Sequence, residues 1–174
     1  MTILAETHAE TVARNILERE HMPAPADIGD GEGITGAGGM TQAFCMTWGL
    51  SFPMTEAQAE ANLQIWFTKS GLIDLISLSL PLGDAVADYC YAVSFADGVK
   101  ALQGVLGVNP DGVIGPVTAA ALVNWLDPAR SNDVHAAVRA VAVSRIEIIA
   151  EAITSGASAP KFASGLIGRA LTFI

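Results

Sequence analysis

Apolar residues recur at intervals of three and four along almost the whole chain, and strict alternation is nearly absent. Over residues 5–20, Ala9, Val12, Ala13, Ile16 and Leu17 define one stripe of a helix. One further step of three or four residues reaches Glu20, whose side chain is therefore expected to point at the core or a cleft. Glu18 and Arg19 fall away from the stripe, and Glu18 is expected to face water. Helical patterns follow at 40–48, 55–70, 72–79, 83–93, 95–106, 116–126, 132–154 and 160–171. Thr55 opens one of them as Thr-Glu-Ala-Gln, a capping residue followed by an acidic first turn. Asn109–Pro116 reads as an Asp-Gly turn with Pro116 at the first position of the next helix. Residues 21–39 are dense in Pro and Gly and cannot be regular throughout. Any sheet is confined to a small hairpin within 24–40, and long loops of this kind often carry function. The pattern predicts an all-α fold with one small loop or hairpin region near 21–39.

Composition narrows the function classes. The chain of 174 residues is 51% hydrophobic with a mean hydropathy of +0.43, yet only 6% aromatic, which describes a well-filled aliphatic core. The most apolar stretch, 72–93, is interrupted by Asp74, Pro81, Asp84 and Asp88, so stable membrane insertion is not expected. The N-terminus lacks a basic segment followed by an apolar one, so no secretory signal is expected. A net charge of −9 argues against nucleic acid as a partner. Cys45 and Cys90 allow one disulfide or two buried thiols, and the thiols are favoured. No metal-ligand spacing or phosphate-binding loop is present, His8, His21 and His135 are scattered, and no cofactor is expected.

Carboxylates concentrate around the Pro/Gly-rich segment. The stretch ILEREHMPAPADIGDGEGIT, residues 16–35, holds Glu18, Glu20, Asp27, Asp30 and Glu32. A glutamate at a helix end, packed against Ile16 and Leu17 and partly withdrawn from water, is suited to donate a proton near neutral pH. A partner carboxylate would come from the loop, and Asp beside Gly also simply builds turns. Among the tryptophans, Trp66 and Trp125 fall on apolar helical positions and are expected in the core. Trp48, beside Gly49 at a helix end, is the best placed of the three to offer its ring as a stacking platform.

The segment ALQGVLGVNPDGVIGPVTAAAL, residues 101–122, resembles the peptidoglycan-binding segment of the family 108 glycoside hydrolases, which are N-acetylmuramidases. Residues 87–103 stand where that family has an "FD-x-AVN-x-G" helix, with Asp88 kept and Ala92 in place of Asn. Residues 51–67 resemble its "LT-x-x-EA" helix, and 161–171 its "F-x-x-GW-x-x-R" ending with Leu166 for Trp. The family's catalytic signature, "L-x-x-EGGY" followed by "DPGG" and "GIT", is similar to 16–35 in shortened form. Leu17 and Glu20 keep the first spacing and Gly33-Ile34-Thr35 the last. His21-Met22-Pro23 replace Gly-Gly-Tyr, and Asp27-Ile28-Gly29-Asp30 stand at the "DPGG" step.

The resemblance implies a lysozyme-like catalytic part over 1–79 and a helical peptidoglycan-binding part over 80–174, packed as one compact unit. It implies hydrolysis of the β-1,4 bond between N-acetylmuramic acid and N-acetylglucosamine, with Glu20 as general acid. Asp27 and Asp30 rank equally as the second carboxylate, with Glu32 behind them, and Thr35 orients water. Trp48, His21, Asp88 and Asp111 are the expected glycan contacts. The expected partners are peptidoglycan strands and a holin for release from the cytoplasm to the cell wall. The contrasting expectation is a non-catalytic module that binds the wall or a protein partner through 80–174.

Overall fold

The stripe seen in the sequence is the buried side of α1 (His8–Glu20), where Val12, Ala13 and Ile16 are fully buried and Glu18 is exposed. Burying side chains such as Val12 and Ile16 is worth roughly 1.5–3 kcal/mol each. Glu20 is half-buried, as its place on the stripe requires, and Arg19 is half-buried as well. The computed structural model describes residues 7–20, 26–27, 34–156 and 163–174, with the backbone alone at 26, 27, 34 and 35.

The fold is all-α. After α1 comes a two-stranded antiparallel ladder, β1 (Ala26–Asp27) with β2 (Ile34–Thr35), inside the span where a hairpin was expected. Then follow a 3-10 turn (Ala37–Gly39), α2 (Gln42–Trp48), α3 (Glu56–Ser70), α4 (Leu72–Leu78), α5 (Leu80–Ala92) and α6 (Phe95–Leu106). The described chain closes with α7 (Pro116–Trp125), a second 3-10 turn (Pro128–Arg130), α8 (Val134–Thr154) and α9 (Ala163–Leu171). Both 3-10 turns escape the hydrophobic pattern because three residues are too few to show a period. Thr55 caps α3 with a full capping box, its side chain accepting from Gln58 N while Gln58 Oε1 accepts from Thr55 N. Pro81 suggests a break, yet α5 begins at Leu80 and places Pro81 in its first turn, where no N–H partner is needed.

Contacts divide the chain into two compact units, Met1–Ile73 and Asp74–Ile174, a few residues before the expected boundary. In the first, α1 packs on α3 and on the turn Ala37–Gly39, which also touches α3. Trp66 is fully buried, as expected, and gathers Phe44 and Trp48 edge-on at 5.5 and 6.3 Å and Phe67 at 5.5 Å. Lys69 Nζ donates to the carbonyls of Trp48 and Gly49 at 2.6 and 3.2 Å, placing a cation on the C-terminal end of α2.

In the second unit α5 is buried continuously from Leu82 to Cys90, between α6 and α8, with α9 on α8 and α7 on α6. A loop after α6 is stitched by Gln103, which is 1% exposed. Its Oε1 accepts from Gly112 N at 2.9 Å, and its Nε2 donates toward Asp111 Oδ1, Val113 O and Thr118 Oγ1 at 2.7, 3.1 and 3.1 Å. Gln103→Ala is expected to cost about 1–3 kcal/mol, because the Gly112 N–H stays buried without its acceptor. Chemical denaturation should show the loss, and Thr118→Val should cost less.

Cys45 and Cys90 are both free and buried. Burial pushes both thiols above their ordinary value. Since the thiolate is the reactive form, neither cysteine is expected to react with a thiol reagent on the timescale of the native protein. Both should react once denaturant is added, and rapid labelling without denaturant would contradict this packing.

Candidate functional site at the end of helix α1

The last turn of α1 carries Leu17 and Glu20 over the turn Ala37–Gly39. Gly38 and Gly39 both have left-handed backbone, with φ of +69° and +77°. Their Cα atoms, bare of a side chain, let α1 approach closely. A methyl group on Gly38 would collide with Leu17 Cδ2 and stand 3.7 Å from Ala59 Cβ on α3. A methyl group on Gly39 would collide with Glu20 Oε2 and stand 2.9 Å from Glu20 Cδ and 3.3 Å from its Cγ. The carboxylate of Glu20 thus lies against the Gly39 backbone. Its position follows from the stripe on α1 and from the absence of a side chain beneath it.

The hairpin is tied to the same turn. Thr35 ends β2, and Gly36 N donates to Met40 O at 2.7 Å while Gly39 N donates to Gly36 O at 3.3 Å. Thr35 therefore stands four residues before Gly39, a span of at most about 14 Å. Across the ladder Ala26 faces Thr35 and Asp27 faces Ile34, so Asp27 and Thr35 belong to adjacent rungs. The first unit thus contributes a half-buried carboxylate and, attached to its supporting turn, a hairpin bearing an aspartate and a threonine. His21, Asp30 and Glu32 lie outside the described residues. Trp48 is half-buried, its ring edge-on to Trp66 and its carbonyl held by Lys69.

The two remaining expected glycan contacts serve the structure of the second unit. Asp88 is completely buried. Its Oδ2 accepts from Arg145 Nη1 at 2.6 Å, and both its oxygens accept from Arg169, from Nε at 3.0 and 2.9 Å and from Nη2 at 2.7 Å. No glycan reaches a carboxylate enclosed in this way, so Asp88 is corrected to an anchor joining α5, α8 and α9. Asp111 is exposed, but its Oδ1 closes the 109–116 turn by accepting from Gln103 Nε2 and Val113 N. Those bonds hold its carboxyl below the ordinary value. Its observed work is turn formation.

Trp125, expected in the core, is half-buried and lines an open pocket of about 290 Å³ with Leu126, Asp127, Pro128, Ser131, Asn132 and Val134. Asn132 Nδ2 donates to Trp125 O at 2.7 Å, and Asp127 caps the short turn at Ala129 N. The pocket combines an indole with amide, hydroxyl and carboxylate groups. Among the described residues, no group of three or more His, Cys, Asp or Glu side chains is placed to hold a metal ion. No described helix is long and apolar enough to cross a membrane.

No family model and no curated protein matches the chain. A solved structure does. The Brucella abortus SagA chain superposes with a TM-score of 0.60 at 24% identity, covering 95% of this chain and 94% of that one. The two chains share a fold over nearly their whole lengths.

Two features, one in each unit, are absent from the hydrophobic pattern. The density of glycine at 36–39 signals left-handed backbone, but not which side chain passes over it. The Trp125 pocket is hidden because Trp125 also satisfies a helical apolar position. Asp127-Pro128 directly after the helix is the signal that the chain turns back there.

Proposed function

We propose that the protein is a peptidoglycan hydrolase, an N-acetylmuramidase that cleaves the β-1,4 bond between N-acetylmuramic acid and N-acetylglucosamine. The observation that supports this is Glu20: helical phase and the family resemblance point to the same carboxylate, and it lies half-buried against Gly39. The fold shared with SagA over nearly the full chain supports it. In this mechanism protonated Glu20 gives its proton to the glycosidic oxygen as the C1–O bond breaks, and the leaving sugar departs as an alcohol. The positive charge that develops on the sugar ring is met by a second carboxylate, Asp27 or Asp30, and a water oriented by Thr35 bonds to C1 as its proton passes to one of the site's carboxylates. His21 and Trp48 contact the glycan, and a holin releases the enzyme to the wall.

A second proposal, a non-catalytic module that binds the wall, is favoured by the Trp125 pocket, since an indole beside amide and hydroxyl groups suits a sugar ring. Incubation with purified peptidoglycan separates the two. New reducing N-acetylmuramic ends in the soluble fragments support the hydrolase. Co-sedimentation with an uncut wall supports the binding module, and neither outcome would leave peptidoglycan as the wrong substrate.

A further inference from the structure

We infer that Gly39 is a positioning residue for Glu20, its bare Cα forming the seat that fixes where the carboxylate points. The inference rests on the role proposed for Glu20. All three atoms closest to a methyl group on Gly39 belong to the Glu20 side chain: Oε2, Cδ and Cγ. At Gly38, one residue earlier, the closest atoms belong to Leu17 and Ala59. The adjacent glycines therefore do different work. Gly38 lets apolar side chains of α1 and α3 close on the turn, and Gly39 faces the carboxylate.

A glutamate at the end of a helix has three side-chain torsions and much freedom to lose. Support along one side, from Oε2 back to Cγ, removes part of that freedom before any substrate arrives. A general acid must lie within about 2.6–3.2 Å of the oxygen it protonates. Because the obstructing group would be the far end of a flexible side chain, a methyl group on Gly39 displaces the carboxylate without demanding that the helix move. The consequence is a misplaced acid on a folded protein. A displacement on the order of 1 Å can cost about 100-fold in rate.

Gly38→Ala is the control, since both glycines have left-handed φ, +69° and +77°, which an L side chain rarely adopts. The full chain is compared in three states, native, Gly38→Ala and Gly39→Ala. The readouts are kcat and KM on purified peptidoglycan, melting temperature, and the 13Cδ resonance of Glu20 with its pH titration. Both variants are expected to melt several degrees lower. Only Gly39→Ala should lower kcat, by about 10- to 100-fold with KM within about threefold, and only it should move the Glu20 resonance. Equal kcat losses in the two variants, or an unmoved Glu20 resonance in Gly39→Ala, would overturn the inference. Gly39→Asn carries the same Cβ and tolerates left-handed backbone better, so it replaces Gly39→Ala if that variant does not fold. If the native chain cuts no peptidoglycan, the proposed hydrolase fails, while the Glu20 resonance still decides whether Gly39 seats the carboxylate.

Discussion

Asp88→Ala is expected to destabilise the protein by about 3–5 kcal/mol, the usual cost of removing one partner from a buried ion pair. For a chain of this length that corresponds to a fall in melting temperature of roughly 6–20 °C. The reason is the charge count in the core of the second unit. Arg145 and Arg169 are 1% and 9% exposed at the side chain, and both are paired with the Asp88 carboxylate. Burial already pulls the Arg145 guanidinium below its ordinary value, opposed by Asp88. Its Nε and Nη2 make no hydrogen bond among the described residues. Tyr89 supplies no second anion, because burial pushes its hydroxyl up to about 12 and it stays a neutral phenol. Without Asp88, Arg145 and Arg169 would both lose the carboxylate that joins them.

The same bookkeeping predicts an asymmetry. Arg145→Met removes one of two cations and the two nitrogens that make no hydrogen bond among the described residues, and leaves Asp88 bonded to Arg169 in a fork. It is expected to cost much less than Asp88→Ala, on the order of 1 kcal/mol or less. Equal losses for the two substitutions would show that Arg145 contributes mainly through packing. Urea denaturation of each variant measures the difference.

Glu20→Gln is expected to lower the rate of glycan cleavage by about 10²–10⁴-fold, the contribution of a positioned general acid. Gln keeps the size and hydrogen-bonding shape of the side chain, so it still fits against Gly39, and the melting temperature should change little. What it loses is the transferable proton. A similar substitution at Glu18 on the exposed side of α1 should leave the rate within about twofold, since surface changes away from the site usually have small effects.

How much of this was legible in the sequence differed by element. The stripe on α1 located Glu20 because a helix repeats every 3.6 residues and one continuous face is buried. The capping box at Thr55, the turn at 109–116 and the hairpin within 24–40 were legible for a similar reason, since each is fixed by residues close in sequence. The Asp88 cluster was not, because its partners lie 57 and 81 residues away on α8 and α9 and share no local pattern with it. The available signal was two carboxylates, Asp84 and Asp88, in an otherwise apolar run, since such residues are almost never fully buried unless paired. The seat beneath Glu20 was half legible: glycine density announced the left-handed turn, but its contact with α1 depends on how α1 packs against the turn. Trp125 misled because an aromatic at an apolar helical position can line a pocket as readily as fill a core.

The decisive measurement is the rate at which new reducing N-acetylmuramic ends appear in purified peptidoglycan, for the native protein and for Glu20→Gln with matched circular dichroism. A native rate that falls by two or more orders of magnitude in the variant is expected for a muramidase with Glu20 as its acid. Equal rates would remove Glu20 from the chemistry, and no new ends from either protein would remove the hydrolase.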